Sequence, residues 1–161
     1  MFQKPKTRFM KKAVAFFFMV VAGTLACFSV EAQTHKTDDI LGYWLNEEGT
    51  AKIQIFKVSG NYYGKIVWLK TPNDSVTGKP RTDDKNPDPK LRSAPLLGLV
   101  NLKGFVFNGK DEWKDGSIYD PKNGKTYNCF MRFESSSTLK IRGYIGVSLL
   151  GRTTLWTRST L

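Results

Sequence analysis

The stretch that decides the fold is AKIQIFKVSGNYYGKIVWL, residues 51–69. In its first half, Ile53 and Ile55 alternate with polar residues, which is the spacing of a β-strand with one buried face. The SGN triplet at 59–61 is typical of a tight turn, and residues 62–69 return as a second strand. The stretch therefore predicts an antiparallel hairpin with one side against an apolar core.

The same alternation continues on both sides of this hairpin. Further strands are predicted at 40–45, 99–107, 113–119, 126–134, 138–144 and 152–157. Short turns join most neighbours, and a meander of this kind hides its strand edges completely only when it closes on itself. We predict one all-β domain over residues 40–161, an antiparallel up-and-down barrel of about eight strands. A sandwich or a half-open sheet is the alternative.

Residues 70–95 interrupt the meander with five prolines and many charges. Proline removes a backbone donor and fixes φ, so this segment cannot be a central strand. We predict a long loop with a short helical turn near residues 87–92. A loop of this length inside a compact domain is more often functional than not.

An acidic cluster within this loop invites comparison with a calcium site. Asp84, Asn86 and Asp88 have the spacing of the first three ligands of a calcium loop, but Pro89 replaces the glycine that such a loop requires. The spacing favours turn chemistry, in which Asp and Asn side chains cap backbone amides. We predict no metal, and place Asp84 and Asn86 in the loop or at the barrel rim.

Residues 1–32 are predicted to be a cleaved signal peptide. A basic start precedes an uncharged run at 13–28, which has the length of a signal-peptide core and is too short to span a membrane. Cleavage is expected after Ala32, giving an exported protein, periplasmic or secreted, that is not transmembrane. Lipoprotein anchoring at Cys27 is the alternative, and it is disfavoured because Thr24 stands where an aliphatic residue is usual.

The charge that remains after cleavage argues against nucleic acid as a partner. Residues 33–161 carry 20 Lys and Arg against 13 Asp and Glu, a formal net charge of +7, with the two signs interleaved. A nucleic-acid site would concentrate basic residues in one patch, and an exported protein rarely meets such a partner. Residues 33–39 are polar and are predicted to form a flexible tail.

The sequence gives little support for catalysis. The only histidine is His35, in the predicted tail, so a Ser–His or Cys–His pair and a multi-histidine zinc site lack an essential member. Cys129 shares its strand face with Tyr127 and Met131 and is expected to be a small buried hydrophobe. We predict a protein that is not an enzyme and binds no cofactor. A hydrolase or isomerase using carboxylates from distant strands is the third hypothesis.

The first predicted strand begins with a recognisable motif, Gly42-Tyr43-Trp44. It resembles the glycine–any residue–tryptophan start of lipocalins, in which an arginine from near the chain's end packs across the indole. Arg152 and Arg158 lie on the same predicted strand face as Trp156, and either is a candidate for that arginine.

Several further segments resemble one bacterial family. They are Asp84-Lys85-Asn86-Pro87, Pro95-Leu96-Leu97-Gly98, WKDGSIYDP at 113–121, GKTY at 124–127, RGYIG at 142–146, Gly151-Arg152 and Trp156. The family is domain of unknown function 2147, and the resemblance extends from Asp39 to Arg158. It implies an exported, lipocalin-like β-barrel with no established biochemical activity, and it supplies no catalytic residues.

Two apolar segments need a covering that the alternation of the strands does not itself provide. The connection IGVSLLG at 145–151 is apolar although connections are usually polar. We expect it to fold inward as a plug; covering one mouth or presenting an apolar patch are the alternatives. The run IVWL at 66–69 is apolar on both faces, and the loop at 70–95 is expected to cover it.

We predict that the barrel binds a small apolar or amphipathic ligand, because an eight-stranded barrel can hold one small molecule. The side chains predicted to meet the ligand are Trp44, Trp68, Tyr127, Arg142, Arg152 and Trp156. The alternative is an envelope interaction protein with a filled barrel, acting through its outer face or loops. We expect a monomer.

Overall fold

The computed structural model describes residue 1 and residues 36–161. The predicted signal peptide, the alternative anchor Cys27 and the histidine at position 35 lie outside the described residues. The compact unit Thr34–Leu161 contains the barrel. Its strands are β1 (Gly42–Leu45), β2 (Ala51–Val58), β3 (Asn61–Leu69), β4 (Val100–Phe107), β5 (Glu112–Asp120), β6 (Lys125–Ser135), β7 (Thr138–Tyr144) and β8 (Arg152–Ser159).

The eight strands form one closed antiparallel barrel, as predicted. Each strand pairs with its neighbours in sequence, and β1 pairs with β8 through Tyr43–Ser159, Trp44–Arg158 and Leu45–Thr157. The predicted strand at 40–45 begins two residues later, at Gly42. The barrel is therefore an up-and-down meander, and neither a sandwich nor a half-open sheet.

Residues 36–39, part of the predicted flexible tail, form a turn that contacts the barrel. A turn forms there, with the amide of Asp39 donating to the carbonyl of Lys36 at 3.1 Å. The indole Nε1 of Trp113 donates to the carbonyl of Thr37 at 3.2 Å, and the Tyr62 hydroxyl donates to the Asp38 carboxylate at 2.6 Å. Because these donors come from the barrel, the segment is held across one of its ends.

That end of the barrel is filled by aromatic side chains. Trp44 and Trp113 are fully buried, and both contact Phe133 edge-on, with ring centroids 5.8 and 5.7 Å away. The guanidinium of Arg158 lies over the Trp44 ring, 4.3 Å from its centroid. Arg158, not Arg152, is thus the arginine that packs on the first-strand tryptophan. We call this end the base.

The close packing of the interior explains one glycine in β5. A Cβ on Gly116 would lie 2.4 Å from the ring of Phe105 on β4, closer than any side chain tolerates. Gly116 therefore lets the Phe105 ring lie directly against the β5 backbone, where a larger residue would force the ring out of the core.

Four connections meet at the other end because the strands alternate in direction. They are 46–50, 70–99, 121–124 and 145–151. The longest of them, the β3–β4 loop at 70–99, has its own structure, with a 3₁₀ turn at Pro89–Leu91 where a helical turn was predicted. It pairs with β3 through Ile66, whose amide donates to the Leu99 carbonyl at 2.9 Å. We call this end the mouth.

Candidate functional site

A cavity of about 1330 Å³ occupies the mouth half of the barrel. Its lining comes from several strands and from all four mouth connections. Small-molecule sites usually measure roughly 300–1,000 Å³. The space is therefore large enough for a molecule of lipid size, and only the base half of the barrel is filled.

The deep wall of the cavity is apolar. It is formed by inward-facing residues of the strands and one of the β3–β4 loop, and its buried members are Ala51, Ile53, Ile66, Leu96, Ile141 and Trp156. Such a wall favours the transfer of hydrocarbon out of water by about 25 cal/mol for each Å² of apolar surface buried. The wall can thus bind an apolar group without polar contacts.

One polar side chain, Asn101, interrupts this apolar wall. It lies on β4 where the pairing with β3 shifts register, and it is 7% exposed. Its Oδ1 is buried and has no hydrogen-bond partner in the part of the chain that the structure describes. An unsatisfied buried polar group costs about 1–3 kcal/mol. Asn101 therefore gives the wall an unused hydrogen-bonding group.

The mouth carries charged side chains, and its acidic residues are already engaged. Glu48 pairs with the Lys122 ammonium, and that hydrogen bond lowers the pKa of the Glu48 carboxyl. Asp74 accepts from the Thr77 amide at 2.8 Å, and this bond lowers its pKa. Asp120 accepts from the Lys122 amide at 3.0 Å. These carboxylates therefore serve the connections that frame the mouth.

A buried carboxylate fastens the β3–β4 loop to the barrel. Asp83 is fully buried and accepts from the Tyr119 hydroxyl at 2.7 Å and from Asn86 Nδ2 at 2.6 Å. Burial, followed by the hydrogen bond to Asp83, raises the pKa of Tyr119 to about 12. We call this group the loop latch. The sequence reasoning missed Tyr119, although it is part of the WKDGSIYDP run, because nothing local shows that β5 and the loop meet.

The acidic cluster of the loop performs turn chemistry, as predicted. The amide of Asp88 donates to Asn86 Oδ1 at 2.9 Å, and the amide of Lys90 donates to Asp88 Oδ1 at 3.0 Å. Asn86 is buried inside the loop, whereas Asp84 lines the mouth. Within residues 36–161, no group of three His, Cys, Asp or Glu side chains is placed to hold a metal ion.

Three of the six predicted ligand contacts line the cavity: Tyr127, Arg152 and Trp156. Trp44 instead belongs to the base. Trp68 lies on the outer surface, 37% exposed under the Lys52 ammonium, because a register shift between β2 and β3 reverses the alternation after Ile66. The β3–β4 loop therefore does not bury Trp68, contrary to expectation.

Arg142 also points away from the cavity, and its contacts explain why the predicted plug is wrong. Its guanidinium donates to the carbonyls of Ser148 and Leu149, at 2.8 and 3.1 Å, and to the Thr153 hydroxyl at 2.7 Å. These bonds hold the β7–β8 connection at the rim of the barrel. Ile145 and Leu149 are consequently 65% and 85% exposed. The connection forms an apolar rim, and the cavity stays open.

The comparisons agree with this architecture. The family model described as "Uncharacterized protein conserved in bacteria (DUF2147)" matches residues 42–158. Among solved structures, protein HP1028 from the human pathogen Helicobacter pylori, described as belonging to the lipocalin family, is similar with 26% identity and a TM-score of 0.63. That match covers 74% of this chain and 82% of HP1028. No curated protein matches the chain.

Proposed function

The chain belongs to the family of uncharacterized bacterial proteins DUF2147, and from that premise we propose that it binds a small apolar or amphipathic molecule inside its lipocalin-like barrel. The observation that carries the proposal is the division of the interior into a filled base and an open cavity. A barrel that served only as a scaffold would gain stability by filling the whole interior. The likeness to a lipocalin supports the proposal by analogy of fold.

We expect that Thr154→Trp will weaken binding of the apolar dye N-phenylnaphthylamine by at least about tenfold, which corresponds to 1.4 kcal/mol. Thr154 lines the cavity on β8, so the indole would occupy the space of the ligand. The control is Leu155→Trp, since Leu155 is on the same strand and is 39% exposed. Fluorescence titration measures both. Unchanged binding in a folded Thr154→Trp variant would contradict the proposal.

Binding without catalysis fits the composition of the cavity. Among the described residues, the buried part of the wall contains no carboxylate, and the acidic side chains lie at the mouth. Cys129 is buried in the core, and burial raises the pKa of its thiol, which disfavours the nucleophilic thiolate. The alternative, an interaction protein, predicted a filled barrel, whereas this barrel contains an open cavity. Its remaining support is the exposed apolar rim.

We further propose that the protein acts after export, on the strength of the leader sequence at 1–32. Among the described residues, no helix has the length and apolar character needed to cross a membrane. We expect N-terminal sequencing of the protein recovered from cells to begin at position 33, and Cys27→Ser to leave its fractionation unchanged. Recovery in the membrane fraction with a lipid on Cys27 would refute this route.

A further inference from the structure

The buried part of the cavity wall contains one side chain that can accept a hydrogen bond. Within residues 36–161, the buried lining residues are Ala51, Ile53, Ile66, Leu96, Asn101, Ile141 and Trp156. The aliphatic side chains have no polar atom, and the indole of Trp156 is a donor only. The charged residues of the lining are all at least partly exposed. In this part of the chain, Asn101 is therefore the only buried side-chain acceptor that a molecule in the cavity would meet.

Asn101 lies in the part of the wall nearest the mouth, next to the β3–β4 loop. It is the second residue of β4, which begins where the loop ends, and the loop residue Leu96 is itself buried and lines the cavity. Trp156 lies deeper, because it stands opposite Leu139 near the base end of β7. A polar group bound at Asn101 would therefore be screened from water, with apolar wall below it.

The free acceptor of Asn101 destabilises the fold unless something uses it. Its Oδ1 is shielded from solvent and has no partner among the described residues, and a buried polar atom in that state costs free energy. Leucine has nearly the same shape and would occupy the position without that cost. The amide plane turns easily about χ2, because terminal torsions of this kind have broad minima. Since Oδ1 is unbonded, such a turn breaks no hydrogen bond to that atom and can present it to the cavity.

We propose that the cavity selects an uncharged amphiphile whose polar group donates a hydrogen bond to Oδ1 of Asn101, while its hydrocarbon part lies against the apolar wall as far as Trp156. This inference rests on the proposed function and names its ligand class. The shared chemistry of the polar group is a neutral donor, an alcohol hydroxyl or an amide N–H. A carboxylate has no proton to donate. An ammonium donates, but the buried wall described here has no carboxylate to compensate its loss of hydration.

The ligand class is tested by displacement of N-phenylnaphthylamine from the wild type with molecules of similar size, all below their solubility and micellar limits. Decanol and decanamide carry a neutral donor, methyl nonyl ether is an isomer of decanol without one, and decanoate and decylammonium are charged. We expect the tighter of decanol and decanamide to bind at least about fivefold more tightly than the ether and both ions, as one buried hydrogen bond would give. Its identity distinguishes a hydroxyl from an amide donor. An ether or an ion that binds as tightly as both donors would overturn the inference.

Asn101→Leu tests whether this side chain produces the preference. It should weaken the preferred donor ligand at least about fivefold and leave binding of the ether unchanged or tighter. It should not lower the midpoint of thermal unfolding, because it removes an unbonded polar atom. Asn128→Leu, the same substitution at an exposed position of β6 outside the lining, should keep the preference. If Asn101→Leu keeps the preference, or lowers the midpoint as loss of a structural contact would, the inference is overturned and the proposed function stands. If neither the dye nor any of these ligands binds to the wild type, the proposed function itself fails.

Discussion

Replacing Trp44 with alanine is expected to lower the free energy of unfolding by about 3–5 kcal/mol, the range for removing a fully buried large aromatic side chain. Trp44 is fully buried, and its Nε1 donates to the carbonyl of Ile40 at 2.9 Å. The indole also contacts the Arg158 guanidinium and the edge-on ring of Phe133. Its loss opens a cavity in the base and leaves the Ile40 carbonyl without its donor.

Chemical denaturation followed by far-ultraviolet circular dichroism measures this loss. Trp68→Ala is the matched control because it removes the same side chain from the outer surface. That variant should lose the exposed contact with the Lys52 ammonium, which is worth about 0.5–1 kcal/mol. Equal losses in the two variants would show that Trp44 in the base contributes no more to stability than Trp68 on the outer surface.

One contact of the base was predictable, although Trp44 itself was expected to meet a ligand. Alternation along each strand identifies which side chains face inward, and closure of the meander brings the first and last strands together. That Trp44 meets one of the two arginines of β8 was implied by the resemblance to lipocalins. The choice between Arg152 and Arg158 depended on the register of β1 with β8, in which Trp44 is opposite Arg158. Nothing local to either strand specifies that register.

Where the sequence reasoning was wrong, a bulge or a set of side-chain hydrogen bonds overrode the simple hydrophobic pattern. The bulge near Ile66 turns Trp68 outward, although strict alternation would have placed both residues on one face. Apolar composition alone suggested that the 145–151 connection enters the barrel. Three hydrogen bonds from Arg142, to Ser148, Leu149 and Thr153, hold this connection at the rim instead. Neither outcome is encoded by residues adjacent in sequence.

The candidate site was predictable in outline and not in its polar details. Tyr127, Arg152 and Trp156 belong to strands whose inward faces the alternation identifies, and all three line the cavity. Asn101 was not anticipated, because it faces the cavity at a register shift. The loop residues Lys79 and Arg81, which also line the cavity, were not anticipated either, because their position depends on how a proline-rich segment folds back on the barrel.

The second large effect is expected from Asp83→Ala, which removes the loop latch. The carboxylate accepts two hydrogen bonds, and a hydrogen bond to a charged group contributes about 1.5–3 kcal/mol. The loss should act mainly on the β3–β4 loop, since Leu96 is its one buried apolar side chain within the described structure. The backbone amides of residues 83 and 96 donate to the carbonyls of Ala94 and Arg81 within the loop. Hydrogen exchange should accelerate at these two amides, while the barrel strands stay protected.

Asp84→Ala is the control for this experiment because it deletes the adjacent carboxylate. Asp84 is exposed, and its ion pair with Lys85 is on the surface, so the exchange of loop amides should not change. Acceleration that is equal in both variants would mean that the loop is held by something other than Asp83. Acceleration that extends over the barrel strands would show that the latch stabilises the whole fold.

The latch also predicts how the loop responds to alkaline pH. Tyr119 has its pKa raised from 10.0 to about 12, because burial and the Asp83 carboxylate disfavour the phenolate. A pKa raised by folding contributes stability that is complete below the unfolded-state pKa and is lost as the pH rises through the folded-state value. Loop exchange in the wild type, corrected for the intrinsic pH dependence of exchange, should therefore rise between pH 10 and about 12.

In Tyr119→Phe the corrected exchange should already be faster at neutral pH and show no such step, because no ionisable hydroxyl then joins β5 to the loop. A step that persists in Tyr119→Phe would assign the alkaline opening to another group and leave Tyr119 with a packing role alone.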